Sequence, residues 1–270
     1  PGDFRSHLLD WERQRMGPWH PNPNVRQGPA DYPIVDSDSP IKPLLYNGVG
    51  GSTIMWTCFN PRFRPHDFIG ADTDGASDSW PLTYDELAPY YDLADSIQGV
   101  SGLGGDPLYP PSGPRPLGPL PLGRGSKRLA RAFDDLGWHW WIGDRANTSS
   151  PYRGRGVCNN CGACEMGCPR RAKGSTDVTY WPEALQAGAQ LITGARVAQI
   201  ETTADGKRAS GAVYVDRDGR RHRVKASVVV LACNGIGTPR ILLMSQSGKH
   251  PNGLANGSGQ VGRNLMLHPI

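Results

Sequence analysis

Over residues 84–97 the apolar positions Leu87, Tyr90, Tyr91, Ala94 and Ile97 recur at helical spacing, and Thr83 with Glu86 has the spacing of a capping box. Pro89 lies inside that stretch and is expected to kink the helix or move its start. A second helix is expected from Leu129, Ala130, Phe133 and Leu136, capped by Ser126 and stopped by Gly137. Residues 181–187 predict a third, short helix with Pro182 in its first turn and Gly188 at its end. The period then changes. Residues 196–202, 211–216 and 221–225 are rich in alternating Val, Ile and Tyr, and Asp205-Gly206 and Asp218-Gly219 supply hairpin turns between them, so a three-stranded meander is expected. Residues 228–232 form a continuous apolar run of strand length, as expected of a central strand buried on both faces. Gly235 and Gly237 then turn the chain, and Thr238-Pro239 is expected to open a helix carrying Ile241, Leu242, Leu243 and Met244. A helix start after a strand and a glycine turn suits an anionic ligand such as a phosphate, and an ordinary tight turn explains it equally well.

Two stretches resist regular structure. The first forty residues show no sustained period, apart from a short helix expected over residues 7–15. Residues 99–125 hold eight Gly and seven Pro in 27 positions and are expected to form a long surface excursion or a linker. The 35 glycines and 25 prolines make 60 of 270 residues, about 22%, so turns are frequent throughout. A hydrophobic fraction of 37% argues against disorder. The net charge of +4 is too small and scattered for a nucleic-acid surface. No apolar run approaches the roughly 18 to 20 residues of a membrane span. The chain starts at Pro1-Gly2-Asp3 with no signal-peptide pattern and reads as part of something longer.

Gly48, Gly50 and Gly51 with Ser52 and Thr53 make a loop where missing side chains would let a flat or charged ligand approach the backbone, unless it is a plain glycine turn. Four of the six cysteines fall in Cys158–Cys168, spaced C-x2-C-x2-C-x3-C-P. That spacing matches the bacterial ferredoxin run, in which three thiolates wrap one cluster and the fourth commonly ligates another. Zinc is disfavoured because its cysteine pairs are normally a dozen or more residues apart. Disulfides and inert thiols stay open. If a cluster is present, Cys58 or Cys233 offers a further thiolate, and Arg153, Arg155, Arg170, Arg171 and Lys173 would partly offset its charge, although a solvated basic face explains those side chains too.

The run Asn47-Gly48-Val49-Gly50-Gly51-Ser52-Thr53-Ile54-Met55 resembles the first signature of the glucose/methanol/choline (GMC) flavoprotein oxidoreductases. Pro61-Arg62-Phe63-Arg64-Pro65, Asp67-Phe68, Trp80-Pro81 and Pro89-Tyr90-Tyr91 are similar to the bacterial branch of gluconate, sorbitol and fructose dehydrogenases. Residues 195–200 resemble the family strand whose valine backbone contacts adenine, here Val197. Residues 232–243 resemble the second signature, with Asn234-Gly235 in place of the commoner Gly-Ala or Gly-Ser, and residues 261–269 resemble the segment that returns toward the flavin. Gly167-Cys168 followed by Lys173 matches a Gly-Cys-x-x-x-x-Lys motif that such flavoproteins often keep without a cluster.

The resemblance implies an α/β FAD-binding domain of GMC type, with the meander inserted and a long Gly/Pro- and Cys-bearing excursion. It implies a partial domain over residues 1–270, with the excursion at 99–170, without the first Rossmann unit and with most of the substrate domain absent. FAD contacts are implied at Gly50, Gly51, Ser52, Thr53, Trp56, Val197 and Ala232, Trp56 standing where the family usually has Asn or His. An iron-sulfur cluster, of three or four irons, would rest on Cys158, Cys161, Cys164 and Cys168. No catalytic residue is assigned: the implied base is a His beyond this stretch, His268 takes a structural role, and His7, His20, His66, His139, His222 and His250 sit in no nucleophile or metal motif. The implied reaction is oxidation of an alcohol, sugar or polyol CH-OH group, a base taking the hydroxyl proton while hydride passes to flavin. A cytochrome or other acceptor subunit would then receive the electrons. As it stands the chain is expected to bind FAD weakly and show no turnover. Two other classes remain in view: a ferredoxin-like carrier, which would need the cysteines but not the flavin signatures, and an oxygen-using oxidase, for which a cluster would be superfluous.

Overall fold

A computed structural model of the chain describes residues 37–38, 48–70 and 78–266. The helix expected over residues 7–15 and the segment with His268 lie outside the described residues. The chain divides into two compact units, residues 1–189 and 190–270.

In the first unit, helix α1 (Tyr84–Gln98) begins where the capping box places it. The Glu86 N–H donates to Thr83 Oγ1 at 3.3 Å, and the Thr83 N–H donates to Glu86 Oε2 at 2.8 Å. Pro89 lies inside the helix without moving its start, because that cap satisfies donors of the first turn. The helix stops at Gly99, whose φ of 65° suits a residue without Cβ. Tyr84 and Asp95 are buried, whereas Tyr90 is 66% exposed and so does not belong to the expected face. The inward stripe runs through 84, 91 and 95, which leaves Tyr90 on its solvent edge.

The charge that α1 buries is fully engaged. Asp95 accepts from Arg62 at 2.5 Å and from Asn60 Nδ2 at 3.2 Å, with Arg115 at 3.8 Å. Arg115 in turn pairs with Asp144 at 2.7 Å. Removing one member would leave an uncompensated buried charge, so the network fixes how these four segments meet.

Helix α2 (Arg124–Asp135) starts after Gly123 with no side-chain cap, so Ser126 lies inside it rather than at its start. Ala130 is buried, but Leu129 and Leu136 are more than half exposed, which narrows the expected apolar face. Gly137 ends the helix at φ 69° as expected. Residues 99–123 contain no helix or strand, yet their beginning is not surface chain: Val100 and Ser101 are fully buried, and Ser101 bridges both Leu117 and Arg145. Cys58, Val100 and Ala146 form a small core, with Trp56 and Cys164 packed against it. Helix α3 (Tyr180–Gln186) carries Pro182 in its first turn.

The second unit is the expected meander, β1 (Arg196–Thr202), β2 (Ala209–Val215) and β3 (Arg221–Lys225), paired antiparallel in that order. Gly206 and Gly219 take φ of 74° and 80° in the two turns. Helix α4 (Asn234–Met244) packs on β1, where Ser245 Oγ accepts from the Ile200 N–H at 2.9 Å and donates to the Ile241 carbonyl at 2.7 Å. This helix does not open at Thr238-Pro239. Asn234, at φ 64°, is the first residue of the helix, and its Oδ1 accepts from the N–H groups of Ile236 and Gly237 at 2.8 and 2.9 Å, so donors of the first turn are satisfied ahead of Thr238 and Pro239 falls inside.

The strand expected over residues 228–232 is not formed, and Val228 and Val230 are 75% and 81% exposed. A strand needs a neighbour to receive its N–H and C=O groups, and no described residue pairs with this one. The described fold is therefore mixed helix and antiparallel sheet, without the parallel sheet expected of an α/β domain. Among the described residues no helix is long and apolar enough to cross a membrane.

Candidate functional site

The glycine loop is shaped by two consecutive left-handed residues, Gly50 at φ 99° and Gly51 at φ 55°, which lead into a short 3-10 helix (Gly51–Ile54). The two glycines face different ways. A Cβ on Gly50 would stand 2.8 Å from Ile54 Cδ1 and 3.1 Å from Asp177 Cβ, so this residue is turned into the protein. A Cβ on Gly51 would meet nothing within 4 Å, and Ser52 beside it is exposed. Thr53 is turned inward: its Oγ1 donates to the Gly50 carbonyl at 2.5 Å and accepts from the Thr176 N–H at 3.0 Å. Thr176 Oγ1 reaches the same Gly50 carbonyl at 2.9 Å.

Lys173 holds the rest of the loop. Its side chain is 1% exposed, and its ammonium donates to the carbonyls of Ile54, of Trp56 at 3.3 Å and of Cys164 at 2.8 Å. Burial lowers the pKa of Lys173. Next to it, the Gly174 N–H donates to the Ala146 carbonyl at 2.7 Å, and a Cβ on Gly174 would lie 2.8 Å from the Gln98 carbonyl. One buried cation thus joins the glycine loop to the cysteine segment.

At that junction Cys164 packs against the small core that holds Cys58. Cys58 is fully buried and left-handed at φ 67°, its S–H donates to the Trp56 carbonyl at 3.9 Å, and the neighbouring Cys164 thiol and then burial raise its pKa. The neighbouring Cys58 thiol lowers Cys164 to about 6, against the opposing effect of burial and with help from Arg145, Lys173 and the Asn147 amide. Burial pushes Cys158 up, and its sulfur accepts from the Asn160 N–H at 3.5 Å. Cys161 and Cys168 are half-buried, and no disulfide joins any of the six cysteines. Among the described residues no three His, Cys, Asp or Glu side chains are grouped to hold a metal ion. Cys158, Cys161, Cys164 and Cys168 as they stand are therefore not gathered as the ligands of an iron-sulfur cluster.

The other expected site residues are dispersed. Trp56 packs against the Cys58, Val100 and Ala146 core, with its indole Nε1 buried and unpartnered, as is Asp177 Oδ1. Val197 lies on β1, paired with Tyr214, and Ala232 lies in exposed chain before α4; both belong to the second unit. His66, His139 and His222 face Asp67, Asp106 and Asp216, and His250 faces the Gly206 carbonyl. His7 and His20 lie outside the described residues. The residues that sequence reasoning did not place are Thr176 and Asn147, and it named Cys58 only as a further thiolate for a cluster. Only Lys173 carried a local signal, through its spacing from Gly167-Cys168.

The family model described as GMC oxidoreductase matches residues 124–270. A 2-methyl-1,2-propanediol dehydrogenase of Mycolicibacterium austroafricanum is 44% identical over 99% of this chain and 48% of its own length. The fructose dehydrogenase large subunit of Gluconobacter japonicus is 35% identical over 93% of this chain and 47% of its own. A 6'''-hydroxyparomomycin C oxidase of Streptomyces lividus is 32% identical over 83% of this chain and 42% of its own. The chain thus spans about half the length of the curated relatives it matches best among these. A loop stripped of side chains and clamped from behind, together with these matches, leads to one assignment: the chain belongs to the GMC oxidoreductase family.

Proposed function

We propose that this chain is part of an FAD-dependent dehydrogenase that oxidises a CH-OH group of an alcohol, sugar or polyol. The observation that carries the reading is the open space in front of Gly51, where the backbone is bare and a Cβ would meet no protein atom. The loop fits a flat cofactor on that side. Gly51 and Ser52 offer backbone and hydroxyl, while Thr53, Thr176 and Lys173 hold the loop from behind. Trp56 supports the loop from the core rather than from its open face. By the family resemblance, Val197 and Ala232 are assigned to the nucleotide part of FAD.

When bound, FAD supplies the two-electron acceptor for a hydride leaving the substrate carbon. The residues of this chain contribute position: a rigid loop that fixes the approach to the reacting face. Support for a dehydrogenase over an oxygen-using oxidase comes from the higher identity to a dehydrogenase, 44% against 32%. The same reading takes an alcohol, sugar or polyol as substrate and a separate electron-acceptor subunit as partner.

The test compares Gly51→Val with Gly105→Val in the full-length protein. Gly105 is the control, at positive φ of 84° and also open, so both variants place a side chain in empty space on a left-handed backbone. Flavin content, read from absorbance after purification, should drop sharply in Gly51→Val and stay near wild type in Gly105→Val. Equal flavin content in the two would remove Gly51 from the cofactor face.

A further inference from the structure

Helix α2 carries the cations Arg124, Lys127, Arg128 and Arg131, all exposed, and no acidic residue before Asp134. At 3.6 residues per turn, Arg124, Arg128 and Arg131 fall in one row along the helix, and Leu129, Ala132 and Leu136 in the row beside it. The helix rests on the protein through buried Ala130 and half-buried Phe133, which lie on the other side of the leucine row from the arginines. The leucine row is therefore not the face on which the helix packs, and Leu129, Ala132 and Leu136 all stay exposed. Just past the helix end, Trp138 is 61% exposed, its N–H donating to the Phe133 carbonyl at 2.8 Å and its ring 5.8 Å from that of Phe133. Two further indoles are tied down: Trp140 Nε1 donates to Asp134 Oδ1 at 2.8 Å and Trp141 Nε1 to the Leu103 carbonyl at 2.6 Å. Apolar rings are thus fixed at the surface beside a helix that is apolar in one exposed row and cationic in the next.

We propose that α2 and residues 138–141 form a docking face for an anionic lipid surface, holding the protein on a membrane rather than in it. Leu129, Leu136 and Trp138 enter the boundary between headgroups and acyl chains, and Arg124, Arg128 and Arg131 meet lipid phosphates beside them. The charge complementarity is local, since the acidic residues Asp134 and Asp135 come only at the far end of the helix and Asp134 is taken by Trp140. A protein partner fits this face less well. A specific protein contact buries roughly 800 Å² on each side, whereas α2 is about 18 Å long and its apolar row is one side chain wide. A second copy of the chain would bring its own arginines against these. With so few apolar side chains the binding is reversible and depends on the cations, so salt weakens it. The proposal is independent of the flavin reading.

The test is flotation of the full-length protein with vesicles of phosphatidylcholine containing about a quarter phosphatidylglycerol, set against vesicles of phosphatidylcholine alone. At low ionic strength the protein should float with the anionic vesicles, partition at least about fivefold less into the neutral ones, and come off at about 0.5 M salt. Arg128→Glu and Leu136→Ser should each lower the partition coefficient about tenfold. Both residues are exposed, so the melting temperature of either variant should match wild type. Arg221→Glu, the same charge change on an exposed residue of β3 in the second unit, should leave flotation near wild type. A loss in Arg221→Glu equal to that in Arg128→Glu would reduce the binding to net charge and overturn the proposal. Equal flotation with both kinds of vesicle would overturn it too, as would wild-type flotation of Leu136→Ser. If the full-length protein does not float and Leu136→Ser melts several degrees below wild type, another part of the protein covers the leucine row and the proposal falls. Absence of flotation with unchanged melting would leave the row without a lipid partner and end the proposal equally.

Discussion

Single side chains carry much of the organisation of this molecule, and Lys173 does so most directly. Its ammonium is the shared donor to the carbonyls of Ile54, Trp56 and Cys164. Lys173→Met keeps the length of the side chain but leaves those carbonyls short of a buried donor, at about 1–3 kcal/mol for each one left unsatisfied. The expected loss is on the order of 3 kcal/mol or more, read from urea unfolding of the first unit. A change under 1 kcal/mol would mean that water or a neighbour takes over the donor role. The sulfur beside it gives a second test. With its pKa lowered to about 6, chiefly by the neighbouring Cys58 thiol, Cys164 should be largely thiolate at neutral pH. Its alkylation by iodoacetamide should rise through a midpoint near pH 6, whereas an ordinary thiol rises near 8.5. A midpoint above 8 would show that the pair does not share its proton in this way. Sequence reasoning reached the glycine loop because its signal is local, a run of residues without side chains. It also named Cys58 as a further thiolate for the cysteine segment, but could not place it beside Cys164, because nothing in the spacing of Cys158–Cys168 fixes which distant side chain packs there.

At the scale of elements, helix α1 shows what local chemistry decides. Thr83 and Glu86 satisfy donors of the first turn reciprocally, and Pro89 does not displace the start that this cap sets. The Glu86 carboxylate is held below its ordinary pKa, first by the Thr83 N–H and then by the Thr83 hydroxyl. A depressed folded pKa means that the contribution is fully present above the unfolded value, about 4.3, and is lost as pH falls through the folded one. Wild type should therefore melt above Glu86→Gln at pH 7, and the two should converge in acid below that value. A gap that persists at pH 2.5 would show that charge on Glu86 is not what matters. The meander was legible for the same reason as α1: alternation and Asp-Gly turns are written within a few residues of one another. The run Val228–Ala232 was not, because a strand exists only where another strand receives its hydrogen bonds, and no local pattern supplies that partner. The early start of α4 escaped because Asn234, on a left-handed backbone, satisfies first-turn donors with its own side chain, which the neighbouring glycines and Pro239 disguised.

On the scale of the whole molecule, the two compact units differ in what they leave uncovered. The first buries paired charge and a small sulfur-containing core; the second closes its meander over Ile200, Val213 and Ile241 and then releases an apolar stretch into solvent. The sequence Ala226-Ser227-Val228-Val229-Val230-Leu231-Ala232 has no proline and no charge and is dominated by β-branched side chains, with Val228 and Val230 open to water. Such a segment is a template for identical segments of other molecules, stacking strand upon strand. Purified 270-residue chain should thus turn cloudy after a lag that shortens as its concentration rises, and the deposit should bind thioflavin T. Val230→Lys places a charge in the middle of the template and should lengthen the lag severalfold without lowering the melting temperature, since a residue this exposed has little burial to lose. Cloudiness unaffected by Val230→Lys would move the origin of the association to another part of the surface. The practical consequence is a ceiling on the concentration at which this chain can be kept in solution, set by an apolar run, 228–232, that pairs with no strand among the described residues.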